Sequence, residues 1–374
     1  MAEPSVLLHA VGDIAFGDHP LCAGFGTHSQ ARRRDPGFMF EHVRGELARA
    51  DLRFGNLECT LSESGLWRSA YHSMQMRGQP AYVEGLTAAG FHVLNVANNH
   101  SQQHGPAPFT DTVQMLDRAG IGVCGLKGPD GASRLVLRPA GGLTVGFIGY
   151  SLRPRQYFTE EPLYAEGHHD AILADVTRTV GDCDVLIVSL HWGDEFIQRP
   201  SPAEVRLARA VIDAGARLVI GHHPHVLRGV EQHGAGWIVY SLGNFVCDML
   251  WEERLRETAI CECRLTRQGV ESLRLIPARI NDSCQPVPLH GEEEANLQAH
   301  LRSLSRLIDG RGVADELAAY EAEAETALVT QRARSHRYFL KNVYRFPPGI
   351  LAGQVATFLR NRLAERGWTR QESS

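Results

Sequence analysis

Side chains that can bind a metal follow one predicted strand after another in the first two-thirds of the chain. They lie in five short segments: Val11-Gly12-Asp13, Gly55-Asn56-Leu57-Glu58, Asn98-Asn99-His100, His191-Trp192-Gly193 and Gly221-His222-His223-Pro224-His225. The carboxyl ends of strands in an open α/β sheet gather at one edge, where such folds build their binding sites. A lone histidine or aspartate at a strand end usually caps a turn. Five such segments in this order favour one shared site.

The His223-Pro224-His225 segment is the strongest single indication of a metal site. In an extended segment, residues two apart project to the same side, so both imidazoles could face one cation. The alternative is a histidine-rich turn that binds nothing. Imidazole nitrogen suits Zn, Mn, Fe, Co and Ni, whereas carboxylate and amide oxygens extend the choice to Mg and Ca. The sequence therefore predicts one or two divalent metal ions and does not distinguish Mn, Ca, Mg, Zn or Fe.

Further polar residues near these segments are weaker candidates for the surroundings of the site. Glu231 could hydrogen-bond a ligand imidazole, and Asn244 could line the pocket or cap a turn. His104 could support the site from behind its ligands, whereas Asp194 and Glu195 could orient a histidine or bind substrate. For His104, Asp194 and Glu195, a solvated loop residue is an equally simple interpretation.

The elements that must position these residues alternate between short apolar runs and amphipathic segments. The predicted strands are residues 5–11, 52–57, 92–97, 122–125, 144–150, 185–191, 218–221 and 237–242. Helix-like segments lie at residues 41–50, 83–89, 110–119 and 203–214. This alternation is typical of α/β architecture with buried, largely parallel strands. A hairpin formed by residues 259–266 and 270–278 is predicted to add an antiparallel edge.

Composition and charge are those of an ordinary globular protein. The 374 residues are 43% hydrophobic and 22% charged, with a net charge of -5, so the chain can bury a sizeable core and shows no sign of nucleic-acid binding. The start, Met1-Ala2-Glu3-Pro4, lacks a signal-peptide pattern, and no apolar run predicts a transmembrane helix. The eight cysteines form no CxxC pair, so reduced core thiols and a cytoplasmic location are expected.

The charge pattern changes after residue 290, which predicts a catalytic domain at residues 1–290 and a helical C-terminal region at residues 291–374. Residues 291–330 hold nine acidic side chains against three arginines, whereas residues 331–374 hold eight arginines and one lysine against two glutamates. The basic stretch also contains the large apolar residues Tyr338, Phe339, Tyr344, Phe346, Phe358, Leu359 and Trp368. Contact with a surface or a partner through residues 331–374 is therefore one hypothesis, and a helical appendage docked on the main domain is the simpler one.

The order of the polar segments, followed by Tyr240-Ser241-Leu242-Gly243-Asn244-Phe245, resembles the bacterial capsule-synthesis CapA family of poly-γ-glutamate synthesis. That family is similar to the calcineurin-like metallophosphoesterases. The resemblance covers residues 5–245 and does not extend into the C-terminal region. It implies a four-layer αββα sandwich, with helices outside two packed mixed sheets and the metal site at one rim.

Carried over residue by residue, the resemblance implies that the metal ligands are Asp13, Asn99, His191, His223 and His225, with His100 as the acid or base. Two positions depart from the phosphoesterase pattern. Ala15 stands where a histidine is usual, and Asn56 stands where a bridging aspartate is usual. In an extended strand Asn56 and Glu58 share a face, so Glu58 could replace that aspartate as a ligand. One of the two metal positions is therefore expected to be short of a ligand.

His222 is less suited to be a ligand, because it would point away from its neighbour His223. Together with Asn56, Glu231 and Asn244, it is expected to bind substrate or to support the ligands.

Three functions remain open, with a peptide, polyglutamate or a phosphoester as the substrate. The first is metal-assisted hydrolysis of a phosphoester or of a glutamyl or peptide amide, with His100 protonating the leaving group. The second is peptide Cα epimerisation, as in CapA-like enzymes of lasso-peptide pathways, where the metal acidifies the α-proton and Asp13 pairs with His100. The third is a non-catalytic capsule-assembly role. Hydrolysis is slightly favoured, because the wider scaffold family is mostly hydrolytic.

Overall fold

The computed structural model describes residues 3–67, 71–155, 157–308 and 313–352. Its strands, numbered along the chain, are β1 (Val6–Ile14), β2 (Leu52–Leu57), β3 (Thr60–Leu61), β4 (Arg77–Gly78), β5 (Val93–Asn95), β6 (Gly122–Cys124), β7 (Val136–Ala140), β8 (Leu143–Ser151), β9 (Val185–His191), β10 (Leu218–His222), β11 (Val230–His233), β12 (Gly236–Val239), β13 (Asn244–Val246), β14 (Glu257–Thr266), β15 (Gly269–Ile280) and β16 (Pro286–Pro288).

The helices are numbered in the same way. The α-helices are α1 (Thr27–Ala31), α2 (Arg44–Leu47), α3 (Tyr82–Ala88), α4 (Pro106–Arg118), α5 (His169–Thr179), α6 (Pro202–Asp213), α7 (Glu253–Arg256), α8 (Gly291–Arg306) and α9 (Val313–Asn342). Short 3₁₀ helices lie at Pro20–Cys22, Pro36–Phe40, Tyr71–Ser73, Val180–Asp182 and Val343–Arg345. Within the described ranges, no helix has both the length and the apolar character needed to span a bilayer.

Two mixed sheets form the centre of the fold. The first has the strand order β16-β15-β14-β1-β2-β5-β6, and β13 also pairs with β1. The second has the order β11-β12-β10-β9-β8-β7. In both sheets the strands that lead toward the polar segments run parallel. The antiparallel strands are β14, β15 and β16 on one side of the first sheet, and β7 and β11 at the two edges of the second. Parallel strands of this kind require helical crossovers and are buried on both faces.

Three apolar clusters separate four layers of structure. Between the sheets, Phe54 of β2 stacks on Phe147 of β8 with ring centroids 5.6 Å apart. The outer face of the first sheet is covered by α3 and α4, which contribute side chains such as Phe109. The outer face of the second sheet is covered by α5 and α6, with Val176 and Leu207 among the buried contacts. The α/β class and the αββα sandwich predicted from the sequence are therefore confirmed.

Most predicted elements occur at or near their expected positions. Strands β2 and β9 coincide with the predicted segments 52–57 and 185–191. Helix α6 starts at Pro202 because Ser201 and Glu204 form a capping box at its N-terminus. The predicted helix at residues 41–50 is wrong, since only the single turn α2 forms there, after the 3₁₀ helix Pro36–Phe40. The eight cysteines are free thiols, as predicted.

The C-terminal helices are docked on the sandwich. Helix α8 packs beside β11 and β15 and adds three leucines to the cluster between the sheets: Leu297, Leu301 and Leu304. Helix α9 contacts two loops of the main body, through Gln331 with Trp251 and through Tyr320 with Asp194. A docked helical appendage is thus observed up to residue 352. Phe358, Leu359 and Trp368, which belong to the predicted contact surface, lie outside the described residues.

Candidate metal centre

The polar strand ends of both sheets meet at one place. In the first sheet Asp13 is the last residue but one of β1, and its register neighbours are Asn56 of β2 and Asn244 of β13. In the second sheet His191 and His222 are register partners on β9 and β10. The two sheets are joined there, because His222 Nδ1 lies 3.2 Å from Asp13 Oδ1. The convergence predicted from the strand ends is therefore present.

Two overlapping groups of side chains have the composition and spacing of metal sites. One group contains Asp13, Glu58 and His191, and the other contains Glu58, His223 and His225. Within each group the three ligand atoms lie within 4.8 Å of one another. All five side chains are buried, with at most 3% exposure. Because Glu58 belongs to both groups, its carboxylate could bridge two cations.

Buried atoms without partners show that a cation fits this place. Both carboxylate oxygens of Glu58 and both ring nitrogens of His223 are buried and have no hydrogen-bond partner among the described residues. In the same part of the chain, the ion-pair partners of Asp13 and Glu58 are histidines and not arginine or lysine. Burying carboxylates without a strong positive partner is costly. A divalent ion would satisfy the carboxylates and the imidazoles together, so the residues fit the predicted cofactor.

The individual distances show which atoms would bind. Nε2 of His191 lies 3.4 Å from Glu58 Oε1, and Nε2 of His225 lies 4.0 Å from the same oxygen. Nδ1 of His225 donates to Asn244 Oδ1 at 3.0 Å, which leaves Nε2 as the atom available to a cation. The side-chain oxygen of Asn99 lies 2.8 Å from His191 Nε2, next to the first group. Asn99 therefore lies beside the first group, and its role as a ligand stays a prediction.

Burial controls the protonation of the candidate ligands. It lowers the pKa of His191 and of His223 well below the usual value, so both imidazoles are neutral and able to bind a cation. Burial and the charge of Asp13 raise the pKa of Glu58 well above its usual value. Burial also acts to raise the pKa of Asp13, but the surrounding imidazoles, chiefly His222, outweigh it and lower that pKa. A cation bound through Glu58 needs the ionised carboxylate, so the raised pKa opposes cation binding at low pH.

The His223-Pro224-His225 segment is a turn and not an extended strand, which corrects the reasoning that placed both imidazoles on one side. Strand β10 ends at His222, and His223 and His225 have positive φ angles of 94° and 58°. The two rings nevertheless face the same centre, with centroids 5.6 Å apart. The backbone N–H of His223 donates to Asp13 Oδ2 at 3.2 Å, and Asn244 Nδ2 donates to His225 O at 3.3 Å. These bonds hold the strained backbone that aims both rings.

Asn56 supports the centre, and its amide is fully used in doing so. Its Nδ2 donates to Asp13 Oδ1 at 2.8 Å. Its Oδ1 accepts from Asn95 at 2.9 Å and from Asn98 at 3.2 Å. The supporting roles of Asn95 and Asn98 were not predicted from the sequence. Asn98 is the first residue of the segment Asn98-Asn99-His100, and Asn95 ends the strand before it, so their nearness to that segment was the signal available.

His100 lies beside the centre, but its hydrogen-bond partner is not Asp13. Its Nδ1 lies 2.7 Å from Gln103 Oε1, and its ring stacks on Tyr157 with centroids 4.8 Å apart. Burial lowers the pKa of His100 to about 4, although the bond to Gln103 opposes this change. A neutral imidazole that donates through Nδ1 presents Nε2 as a proton acceptor. The predicted Asp13–His100 pair is therefore not formed, and Gln103 and Tyr157 are additions to the predicted surroundings.

The remaining supporting candidates have different outcomes. Asn244 hydrogen-bonds His225, as described above. His222 contacts Asp13, with 3.2 Å between His222 Nδ1 and Asp13 Oδ1. Glu231 lies elsewhere, because its carboxylate accepts from Tyr240 Oη at 2.7 Å and from Arg209 Nε at 2.8 Å. The edge strand β11 directs Glu231 toward α6 and away from the imidazoles. The expectation that Glu231 orients a ligand imidazole is corrected accordingly.

Two relatives are similar to this protein over most of its length. The capsule biosynthesis protein CapA of Bacillus anthracis is 29% identical over 298 residues, which cover 76% of this chain and 70% of that protein. The PGA biosynthesis protein CapA of Bacillus subtilis (strain 168) is 27% identical over 287 residues, which cover 75% of this chain and 72% of that protein.

Two solved structures have a weaker likeness. A hypothetical protein from Thermus thermophilus has a TM-score of 0.44 and 14% identity, covering 72% of this chain and 98% of that one. The 5′-nucleotidase from Candida albicans has a TM-score of 0.41 and 10% identity, covering 82% of this chain and 58% of that one.

The family described as bacterial capsule synthesis protein PGA_cap matches residues 7–249. This stretch is more than half of the chain, and it contains both candidate ligand groups together with His100. The motif order that suggested the capsule-synthesis resemblance lies within it. The chain therefore belongs to the bacterial capsule synthesis protein family PGA_cap.

Proposed function

We propose that this protein is a metal-dependent hydrolase acting on a phosphoester or on an amide bond of a glutamyl or peptide chain. The observation that carries the proposal is the shared carboxylate of Glu58. It joins the group of Asp13 and His191 to the group of His223 and His225. A bridging carboxylate suits two adjacent cations, and such pairs serve displacement reactions in which one oxygen attacks and another leaves.

Divalent cations bound there would polarise the scissile group and make a water molecule more acidic. The protein residues hold and orient the components. Asp13 and Glu58 supply negative charge, and the imidazoles of His191 and His223 are neutral because burial lowers their pKa. Asn56 fixes the Asp13 carboxylate through its hydrogen bond of 2.8 Å. The centre is therefore preorganised by side chains that are themselves held.

His100 is the proposed proton carrier. Its Nδ1 is occupied by Gln103, so Nε2 is free to take a proton from the attacking water and to deliver it to the leaving group. The lowered pKa keeps the imidazole ring neutral at pH 7, which suits the first of these steps. Tyr157 covers the ring and limits its contact with solvent.

The substrate classes come from two different sources of support. The similar CapA proteins are named for capsule and PGA biosynthesis, which supports a glutamyl chain. The order of the metal-binding segments, which resembles that of the metallophosphoesterases, supports a phosphoester. Peptide Cα epimerisation has less support, because it was expected to use Asp13 paired with His100, and each of these residues has other partners.

The test uses the full chain loaded with Mn²⁺, in D₂O, with a γ-glutamyl oligomer, a peptide and a generic phosphodiester as separate substrates. Mass spectrometry is expected to show cleavage with the gain of one water, and the variant His100→Gln serves as the control. Incorporation of one deuterium without cleavage would reject hydrolysis in favour of epimerisation. A protein that holds metal but causes neither change would support the non-catalytic capsule-assembly role. A protein that binds no cation would refute the proposal outright.

A further inference from the structure

Arg153 lies against the loop that follows the candidate ligand His191 and is not itself one of the candidate ligands. Strand β8 ends at Ser151, the register neighbour of His191, and Arg153 follows two residues later. The side chain is 19% exposed, so it faces both the protein and the solvent. A cationic side chain thus follows the strand end that lies beside the candidate ligand His191.

The guanidinium of Arg153 is held through one terminal nitrogen. Nη1 donates to Gly193 O at 2.5 Å and to Asp194 Oδ1 at 3.2 Å. The other carboxylate oxygen of Asp194 accepts a hydrogen bond of 2.5 Å from Tyr320 of α9. Gly193 and Asp194 belong to the loop that follows His191. The arginine is therefore fixed against the loop that carries a candidate ligand.

The same guanidinium keeps a donor that the protein does not use. Nε of Arg153 is buried and has no hydrogen-bond partner among the described residues. A buried charged donor without a partner is unfavourable. Carboxylate and phosphoryl groups are the usual partners of an arginine fork, because they accept from two of its nitrogens at once.

We propose that Arg153 binds an anionic group of the substrate, a carboxylate or a phosphoryl group, beside the metal centre. This inference rests on the proposed function, since the anion would belong to the molecule that reacts there. It names a residue for substrate recognition outside the metal ligands. A glutamyl chain and a phosphoester both carry such a group.

Arg155 provides a matched comparison in the same segment. Its guanidinium is already paired with two carboxylates, Glu161 at 3.2 Å and Glu166 at 2.7 Å. Its donors are satisfied within the protein, so the anion role is not assigned to it. Arg153→Gln and Arg155→Gln therefore each remove one positive charge from the same segment. Only Arg153→Gln also removes the proposed anion contact.

The experiment measures anion binding by titration calorimetry with the full chain loaded with Mn²⁺. Inorganic phosphate and glutarate are the probes, one for each anion class. Arg153→Gln is expected to weaken binding of at least one probe by about tenfold or more, the usual scale for a hydrogen bond to a charged group. Arg155→Gln is expected to change both affinities by less than about twofold, as for an exposed ion pair. The probe whose binding is lost identifies the anion class.

Unchanged affinity of Arg153→Gln for both probes, or equal weakening by both variants, would overturn the proposal. Failure of the wild-type protein to bind either probe would overturn it as well. Metal content is measured in the same samples. If Arg153→Gln holds metal and binds both probes with unchanged affinity, the role of Arg153 is rejected and the hydrolase proposal stands. If the wild-type protein holds no metal, the proposed function itself is rejected.

A second variant covers the case in which Arg153→Gln does not fold. Arg153→Lys keeps the charge but has no Nε donor and no planar fork. It is expected to weaken binding of the same probe by several-fold, and unchanged affinity in this folded variant would again overturn the proposal.

Discussion

Glu58→Gln is the most direct test of the two-cation arrangement. Glu58 belongs to both ligand groups, whereas Asp13 belongs to one and His223 to the other. Glutamine keeps the shape of this fully buried side chain and removes its charge. We expect the wild type to bind two divalent ions, Asp13→Asn and His223→Gln to retain one each, and Glu58→Gln to lose tight binding of both.

The size of the effect follows from the geometry. Oε1 of Glu58 lies 3.4 Å from His191 Nε2 and 4.0 Å from His225 Nε2, so one oxygen faces both groups. Replacing a residue that only hydrogen-bonds a metal ligand usually costs about 10- to 100-fold in metal affinity. Glu58 would be a ligand itself and contributes a charge. We therefore expect a loss of at least about 100-fold for each ion.

The assay is metal content after dialysis against Mn²⁺, with calorimetry for the affinities and circular dichroism to show that each variant is folded. Two ions bound to Glu58→Gln with wild-type affinity would refute the bridging role. Loss of one ion alone would show that Glu58 binds one cation and bridges none. If Glu58→Gln does not fold, Asp13→Asn and His223→Gln test the two-cation arrangement instead. The arrangement then requires each of these two variants to lose one ion, and a different one in each case.

Three further predictions address the proton carrier, the metal affinity and the stability. His100→Gln is expected to reduce turnover by about 100-fold or more with metal content unchanged, because His100 bonds Gln103 and not the ligand groups; parallel loss of metal would make it a ligand. Metal affinity is expected to rise with pH, because burial raises the pKa of Glu58 and the carboxyl must release its proton on binding. Calorimetry in buffers of different ionisation enthalpy counts that proton, and finding none would contradict the assignment. Burial and the charge of Asp18 raise the pKa of Asp248 to about 8, so the folded state keeps a proton that the unfolded state has lost above about pH 4. The stability of the wild type should therefore fall relative to Asp248→Asn by roughly 1.4 kcal/mol per pH unit between about pH 4 and pH 8. Urea unfolding at several pH values measures this difference. Free energies of unfolding that change with pH in the same way for the wild type and Asp248→Asn would contradict the prediction.

The central strands could be predicted because each is an apolar run that ends in a polar residue. Strand β9 is buried along its whole length, and its sequence is apolar up to His191 except at Ser189. Strand β2 is buried at every position but Arg53, and apolar residues begin and end it. Strand β13, three residues long, was not predicted, because its place beside β1 depends on pairing and not on its own composition. The segment at residues 41–50 has a helical apolar pattern, yet it packs as turns against the first sheet.

The sequence predicted which residues form the candidate site better than it predicted the hydrogen bonds between them. Strand order brings Asp13, Glu58 and His191 together, because parallel strands place their carboxyl ends at one edge. The bond partners depend on loop paths that the sequence does not reveal. Glu231 illustrates this, since the edge strand that carries it turns its carboxylate toward Tyr240. Arg153 illustrates the opposite case, because the segment after β8 brings an arginine that no motif had indicated against the loop that follows His191.

Because two positions depart from the phosphoesterase pattern, we expect Glu58 to be the residue that serves both ligand groups. Ala15 offers no ligand, and its backbone N–H is bonded to Val246 O. Asn56 cannot bridge through its oxygen, because that atom accepts two hydrogen bonds. The backbone N–H of Glu58 donates to Ile14 O at 2.9 Å, which holds Glu58 beside the end of β1 and its carboxylate within reach of both groups.

The consequence is a centre whose two halves differ in chemistry. The first group offers two carboxylates and one imidazole, and the second offers one carboxylate and two imidazoles. Oxygen-rich sites favour Mg, Ca and Mn, whereas imidazole-rich sites favour Zn, Fe and other transition metals. Mn suits both kinds of ligand. We therefore expect the first position to favour harder cations than the second, with the carboxylate of Glu58 common to both groups.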